Sequence, residues 1–448
     1  MLRRNPAWPI TAMLAGYPIW WALGIGDYVF VLLAIPMASR MWAWHSHGYR
    51  TIRVPRGFGI WLLFLVCMLA GVAMLSLTAP DTITSPVGTR VISYSVRAAS
   101  YLGVTVLLLY AGNLTERELP RQRIAWLLGL VALYTIAGGL AGVLDPSFAF
   151  NSPTLLLLPH SLQSNLFVLA EMRPSFAQVQ SVLGAAEGRP DAPFRYTNTW
   201  GNCLALLLPW LISAWAIHGT RRQRVIAGIA LVLVIVPIVY SLNRGLWIAL
   251  IFAAGYLAVR LAAQGRLAML GTACVGLVLV VLVVVASPLQ NLISQRLANG
   301  KSDSHRASAS VLATVDGLAS PIIGYGDTRH QRGSVTSIAV GRTAKCPSCG
   351  ETSVGNNGQV WLLFICNGFV GAALYLGFFG YGIWRYRRDK TPYGLAGVLV
   401  LLLTFIFMIA YDAVGAPLGF TMLAYAMLWR NDMAKGDNAP AVLAGKPA

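Results

Sequence analysis

Runs of about twenty apolar residues recur from one end of this chain to the other, and that leaves few ways to fold. A helix of that length crosses the hydrocarbon core of a bilayer, where only helices and closed barrels satisfy their own backbone. Such runs lie at 8–24, 27–43, 58–78, 91–112, 124–143, 200–218, 225–242, 245–262, 267–286, 359–383, 393–411 and 414–429. The expected class is an all-α membrane protein of about 12 transmembrane helices. Composition agrees: 56% of the 448 residues are hydrophobic and 11% charged, against roughly a quarter charged in a soluble domain. No small-residue cleavage site follows residues 1–5, so the first helix is expected to act as an uncleaved anchor.

The net charge of +18 raises the question of nucleic acid. The basic residues, however, fall in short clusters between apolar runs rather than along one face, so no nucleic-acid partner is expected. With the N-terminus inside, the connections carrying Arg50, Arg53 and Arg56, then Arg117, Arg121 and Arg123, all fall on the cytoplasmic side. So do Arg221, Arg222 and Arg224, then Arg260 and Arg266, then Arg385, Arg387, Arg388 and Lys390. One wrong helix would break that alternation, so it supports both the count and the orientation.

Two connections are too long to be turns, and both fall outside. The expected organisation is five helices in 1–143, a first extracytoplasmic loop at 144–200, four helices in 201–286, a second loop at 287–358, three helices in 359–430 and a disordered cytoplasmic tail at 431–448. Segments 161–170 and 176–185 of the first loop read as short amphipathic pieces at the interface. Long loops carry function more often than short ones.

Arginines outside the membrane are the exceptions that the positive-inside rule asks to have explained. They are Arg173, Arg189 and Arg195 in the first loop, Arg244 at a helix mouth, and Arg306, Arg329, Arg332 and Arg342 in the second. A guanidinium keeps its charge and offers a planar fork of donors that matches phosphate oxygens, so an anionic ligand is one reading. Contact with lipid headgroups, or pairing with Glu171, Glu187, Asp191 or Asp303, is the other, and for any single arginine the commoner. Arg244 stands out because it follows Asn243 and precedes Gly245 where one helix gives way to the next, near bilayer depth. Arg97, within a span, is expected to snorkel or to pair with Asp145 or Asp412.

Cys67, Cys203, Cys274 and Cys366 fall inside predicted helices and read as packing. Cys346 and Cys349 lie in the second outer loop, where a short disulfide is favoured over a zinc knuckle; a knuckle needs two more ligands, and His330 alone is near. Neither a metal nor a cofactor is expected. For proton transfer the loops offer Glu171, Glu187, Asp191, Asp303, His305, Asp327, His330 and Glu351. Asp327 and His330 follow Gly324 and Gly326, a turn whose N–H groups suit an anion.

Taken in order, these pieces resemble the O-antigen ligase and O-antigen polymerase superfamily of bacterial glycan-assembling membrane enzymes. Arg189, Phe194, Asn198 and Gly201 are similar to that family's pattern leading from the first outer loop into a helix. Asn243, Arg244 and Gly245 are similar to its Ser-Arg-Gly signature, and Pro321 to Gly326 after Arg306 to its Gly-x-Gly segment. Residues 356–371 are similar to the stretch where the last outer loop re-enters the membrane. The resemblance spans most of residues 55–430. It implies a GT-C-like arrangement of helices in the bacterial inner membrane with an outward-facing site, taking an undecaprenyl-pyrophosphate-linked glycan as donor and a glycan or lipid-linked glycan as acceptor. It further implies that Arg189 and Arg244 bind the donor pyrophosphate, with Arg195 able to replace Arg189, and Arg306 is counted with them as substrate-binding. The histidine many ligases carry before the re-entry is absent here, which leaves Glu351 and His330 as candidates for the base and favours a polymerase or another acceptor. The rival expectation is a transporter or flippase of an anionic lipid-linked substrate; a non-catalytic scaffold is a third.

Overall fold

The computed structural model describes residues 5–83, 86–163, 166–180, 187–268, 289–298, 301–332 and 351–437, with short pieces between 270 and 278. Most of the expected span at 267–286, and the Cys346 and Cys349 pair, lie outside the described residues. The chain is mostly helical. Among the described residues, seven helices are long and apolar enough to cross a membrane: Val87–Asn113, Arg121–Leu144, Thr197–Ile217, Arg221–Tyr240, Arg244–Ala263, Gln359–Tyr386 and Pro392–Ala410. Each falls on an expected span.

The remaining expected spans are assembled from shorter pieces or fall short of that standard. Pro18 cannot donate a backbone hydrogen bond, so the first run breaks into Trp8–Ala15 and Tyr17–Ala22. The second is divided into Val29–Leu32 and Ala34–Ser46, and the third is Phe58–Ala70 followed by a tight turn at Gly71–Met74. The last helix, Ala416–Asp437, runs past the boundary expected at 430. Its extra turns are held by ion pairs from Asp432 to Arg385 at 2.8 Å and from Lys435 to Asp389 at 3.0 Å, so residues 431–437 are ordered helix rather than tail. In the first loop, Leu166–Met172 is a short helix, and the second amphipathic piece begins as a strand.

Local signals set the helix ends. Thr391 accepts from the Gly394 N–H at 3.0 Å with Pro392 in the first turn. Thr220 and Gln223 form a reciprocal capping box. Asn243 accepts from the Leu246 N–H at 2.9 Å and starts the helix Arg244–Ala263.

The last helix is the axis of the bundle, with every residue from Gly415 to Asn431 buried. Around it an aromatic cluster joins four helices. The Trp61 ring lies 5.1 Å from Phe378 and 5.6 Å from Tyr375, and Phe378 stacks on Tyr425 at 4.6 Å. The indole N–H of Trp61 donates to Thr105 at 2.8 Å, so the ring is satisfied inside the bundle. Between helices in lipid, close van der Waals contact replaces the hydrophobic drive, and small residues permit it. A side chain at Gly382 would meet the Tyr425 ring at 2.5 Å.

The two ends of the bundle differ. At one end lie the pairs Arg50 with Glu118, Arg430 with Glu116 and Arg385 with Asp432, each at 2.8 Å, among the basic connections. At the other lie two small antiparallel hairpins. Strand β1 (Ala177–Gln180) pairs with β2 (Glu187–Pro190), setting Gln178 opposite Arg189. Strand β3 (Arg329–Arg332) pairs with β4 (Glu351–Val354), setting Arg332 opposite Glu351.

One helix is interrupted in a way its sequence does not announce. Within Gln359–Tyr386, Gly368 has φ 66° and ψ 178°, which is not helical. The segment between Ser320 and Asp327 fills the gap. Its Tyr325 and Gly326 N–H groups donate to the carbonyls of Ile365 and Cys366 at 2.7 and 3.0 Å, and the Phe369 N–H donates to Pro321 at 2.7 Å. Backbone groups lost to the helix are regained from the long second loop, as they must be wherever water is excluded.

Gly368→Ala puts a side chain at positive φ, 2.6 Å from the Pro321 carbonyl. It is expected to cost roughly 1–3 kcal/mol. Gly377→Ala, in the same helix with its nearest neighbour at 3.8 Å, is expected to stay within about 1 kcal/mol of wild type. Thermal unfolding of the two variants in one detergent checks the contrast.

Candidate functional site

The end of the bundle opposite the basic connections holds a cavity of about 610 Å³. Three arginines, Arg97, Arg195 and Arg306, and three acids, Asp27, Glu171 and Asp412, line it. They come from distant parts of the chain.

Arg195 is reached through the first hairpin. The Thr197 hydroxyl donates to the Arg189 carbonyl at 3.1 Å, which ties β2 to the first turn of Thr197–Trp210. Phe194 is buried against Tyr17 with ring centres 5.4 Å apart. Between these anchors Arg195 pairs with Glu171 and lies over the Tyr196 ring, 4.5 Å from its centre. Tyr28 donates to the other oxygen of Glu171 at 3.3 Å.

Arg97 lies on Val87–Asn113 and pairs with Asp327 at 3.0 Å, not with Asp145 or Asp412 as expected from sequence. It also donates to the Gly326 carbonyl at 3.2 Å and contacts the Cys366 sulfur at 3.1 Å. Cys366 and Cys67 thus both sit at the helix break, where Cys67 donates to the Asn367 carbonyl at 3.4 Å. The N–H groups of the glycine turn that looked suited to an anion are already engaged: those of Tyr325 and Gly326 hold the broken helix, and that of Gly324 donates to Ser320 at 3.0 Å.

Arg306, on Lys301–Ala319, donates to the Ala410 carbonyl at 3.3 Å and stands over the Tyr411 ring, 5.2 Å from its centre. Tyr411 in turn donates to the Asn243 side chain. A side chain at Gly245 would meet the Tyr411 hydroxyl at 2.6 Å, and one at Gly201 would meet Asn243 at 2.5 Å. These glycines let the elements flagged in the sequence close on one another.

Behind that wall lies a second group of arginines. Arg189, 5% exposed, donates through Nε to the Ser241 carbonyl at 2.6 Å and reaches Asn198 at 3.5 Å. Arg296 donates through Nε to the next carbonyl, that of Leu242, at 3.1 Å. Leu242 has φ 51°, a left-handed conformation that is unusual for leucine and persists where surroundings enforce it. Burial pushes the Arg189 guanidinium down to about 10; Tyr411 opposes this, while the Arg296 and Arg306 cations add to it. Such crowding of like charges describes a place where an anion is welcome.

The expected site residues are therefore distributed unevenly. Arg195 and Arg306 line the cavity; Arg189 sits behind Asn198; Arg244 is half-buried at the head of its helix, next to the same turn. His330 is exposed on β3 and is not among the cavity-lining residues. Glu351 lies on β4, and its side chain is outside the described residues, as are those of Asp303 and His305. Among the described residues no three His, Cys, Asp or Glu side chains come together as a metal site. Sequence reasoning passed over Arg296, whose one signal is its place in the short amphipathic helix Leu289–Ala298, and over Asp27 and Tyr28, which looked like part of a span.

Asp191 is 1% exposed beneath the first loop and accepts from the Ser175 hydroxyl at 3.0 Å, while its Oδ1 has no hydrogen-bond partner among the described residues. Burial raises its pKa to about 8, opposed by the Ser175 hydrogen bond. A carboxyl held above its unfolded value destabilises the fold as pH rises from about 4 to 8, because the unfolded chain releases its proton first. Asp191→Asn is expected to raise the apparent melting temperature by roughly 1–3 °C at pH 8 and by much less at pH 4.5, read in parallel melts.

Comparison with protein-family models, characterised proteins and solved structures finds no match to this chain.

Proposed function

We propose that this chain is a glycosyltransferase of the bacterial inner membrane. On this reading it transfers or polymerises glycan from an undecaprenyl-pyrophosphate-linked donor onto an acceptor glycan or lipid-linked glycan at the outer face. The observation that carries the reading is the convergence of arginines around one cavity at the end of the bundle opposite the basic connections. Positive-inside orientation makes that end the outer one, with about twelve spans and both termini inside. The resemblance to the O-antigen ligase and polymerase superfamily points to the same chemistry and to a GT-C-like arrangement.

In this reaction an acceptor hydroxyl attacks the anomeric carbon from the face opposite the leaving pyrophosphate, inverting it. The carbon–oxygen bond to phosphate breaks, and its electron pair leaves with the pyrophosphate. Arg195 and Arg306, backed by Arg189, Arg244 and Arg296, would meet the negative charge that grows there, the role that pre-oriented cations fill best. The isoprenoid chain needs an apolar surface beside the cavity. Arg221–Tyr240 and Arg244–Ala263, with 28% and 11% of their apolar windows buried, offer one next to the Ser241 turn.

The break at Gly368 and the Arg97 to Asp327 pair beside it favour a second reading. Interrupted helices and paired charges at depth are features of carriers, so a flippase or transporter of an anionic lipid-linked substrate is the alternative.

The test is purified protein in lipid with an undecaprenyl-pyrophosphate-linked glycan. Release of undecaprenyl pyrophosphate with a lengthened or transferred glycan is expected from wild type. Arg306→Ala and Arg195→Ala are each expected to lower kcat/KM by roughly 10–100-fold, the range given by losing a charged hydrogen bond of about 1.5–3 kcal/mol. Movement of the lipid across liposomes without any turnover would establish the carrier instead.

A further inference from the structure

A transfer of this kind needs a group to take the proton of the attacking hydroxyl, and His330 does not line the cavity. We infer that the Asp412 carboxylate is the proton acceptor, held in the cavity wall by the outer end of Gln359–Tyr386 and facing Arg97 and Arg306. The inference rests on the glycosyl-transfer reading and names the base that reading lacks.

The turn that carries Asp412, between two helices, is tied to the start of Gln359–Tyr386 by several hydrogen bonds. On one side of it, the Gln359 N–H donates to the Tyr411 carbonyl at 3.0 Å; on the other, the Ala413 N–H donates to the Gln359 side chain at 3.0 Å. The amide of Gln359 is itself fixed by donating to the Tyr101 hydroxyl at 2.9 Å. The Gly358 N–H donates to the Asp412 carboxylate. Trp361 adds a bond to the Ile409 carbonyl at 2.8 Å, so Gly358, Gln359 and Trp361 at one helix start all grip the turn that carries the acid.

The other two cavity acids are less suited. Glu171 is committed to Arg195 and Tyr28. Asp27 accepts from the Ala416 backbone and packs 3.4 Å from the space beside Gly415. Asp412 has its backbone fixed and its carboxylate open to the cavity. The charged and titratable groups around it are Arg97, Tyr101 and Cys366 on the neighbouring helices, Arg306 and Tyr411 at the rim, and Asp27, Glu171 and Arg195 across the cavity.

Although Asp412 opens on the cavity, the protein packed around it raises its pKa to about 6, against the lowering by Arg97, the Gly358 hydrogen bond and Arg306. A base in that range is ionised at neutral pH, yet is a better proton acceptor than an exposed carboxylate. The step balances without a co-reactant. The hydroxyl oxygen bonds the anomeric carbon as its proton passes to Asp412, the sugar–phosphate bond breaks toward pyrophosphate, and Asp412 later returns the proton to water in the cavity.

The experiment uses the full chain in lipid nanodiscs with undecaprenyl-pyrophosphate-linked glycan as both donor and acceptor, reading released undecaprenyl pyrophosphate between pH 5 and 8. Wild-type rate is expected to rise with pH through about 6 and then level. Asp412→Asn is expected to lose about 10²–10⁴-fold in rate, to lose that acid limb, and to bind the donor within threefold of wild type. Asp412→Glu is expected to recover part of the rate and to restore the limb. A flat wild-type profile overturns the inference even if a variant misfolds. So does an Asp412→Asn enzyme that keeps a tenth of the rate, or one that loses donor binding along with turnover. Absence of any turnover by wild type overturns glycosyl transfer itself, and the base with it.

Discussion

Backbone exchange between the outer loop and an interrupted helix is the constraint on which the rest of the site depends. When Gln359–Tyr386 opens at Gly368, the carbonyls of Ile365 and Cys366 must find donors, and Tyr325 and Gly326 supply them. That docking leaves Asp327 within reach of Arg97, and Arg329 within reach of the Leu77 and Tyr325 carbonyls. From there β3 runs out to meet the Thr82 segment. The outer loop is thereby seated in the bundle before any side chain of the cavity is considered.

Charge is then arranged in two depths. The front rank of Arg195 and Arg306 lines, with three acids, a cavity of about 610 Å³; the rear rank of Arg189 and Arg296 grips two consecutive carbonyls of one turn. Those carbonyls orient the two guanidiniums beside the turn that leads into Arg244–Ala263.

Much of the architecture was legible in the sequence because bilayer depth leaves one signal, a run of apolar residues, and one punctuation, the basic connection. Each of the seven long helices lies on such a run. The broken helix was not legible, because Gly368 reads like any glycine in an apolar stretch and the partner that makes its break tolerable lies in a distant loop. The site was legible in part. Arg195 and Arg306 stood out as arginines on the wrong side, whereas Asp412 entered only as a partner for Arg97, since nothing in its neighbours predicts that Gln359 will fasten them. The glycines at 201 and 245 looked like motif letters; the structure gives them a reason, room for Asn243 and Tyr411.

The helix Arg244–Ala263 is fastened at its two ends and nearly bare between them. Asn243 and Tyr411 hold its start, Arg260 ties its finish to the carbonyls of Arg387 and Asp389 at 2.7 and 2.9 Å, and only 11% of its apolar window is covered by protein. Among the described residues little covers its apolar middle, a surface suited to lipid tails. A bilayer thicker or thinner than its span is accommodated by tilt, and a rod pinned at both ends transmits tilt to its pins. The outer pin is the turn that Arg189 and Arg296 grip. On that geometry, acyl-chain length would bear on the turn that Arg189 and Arg296 hold, and through it on the cavity in front.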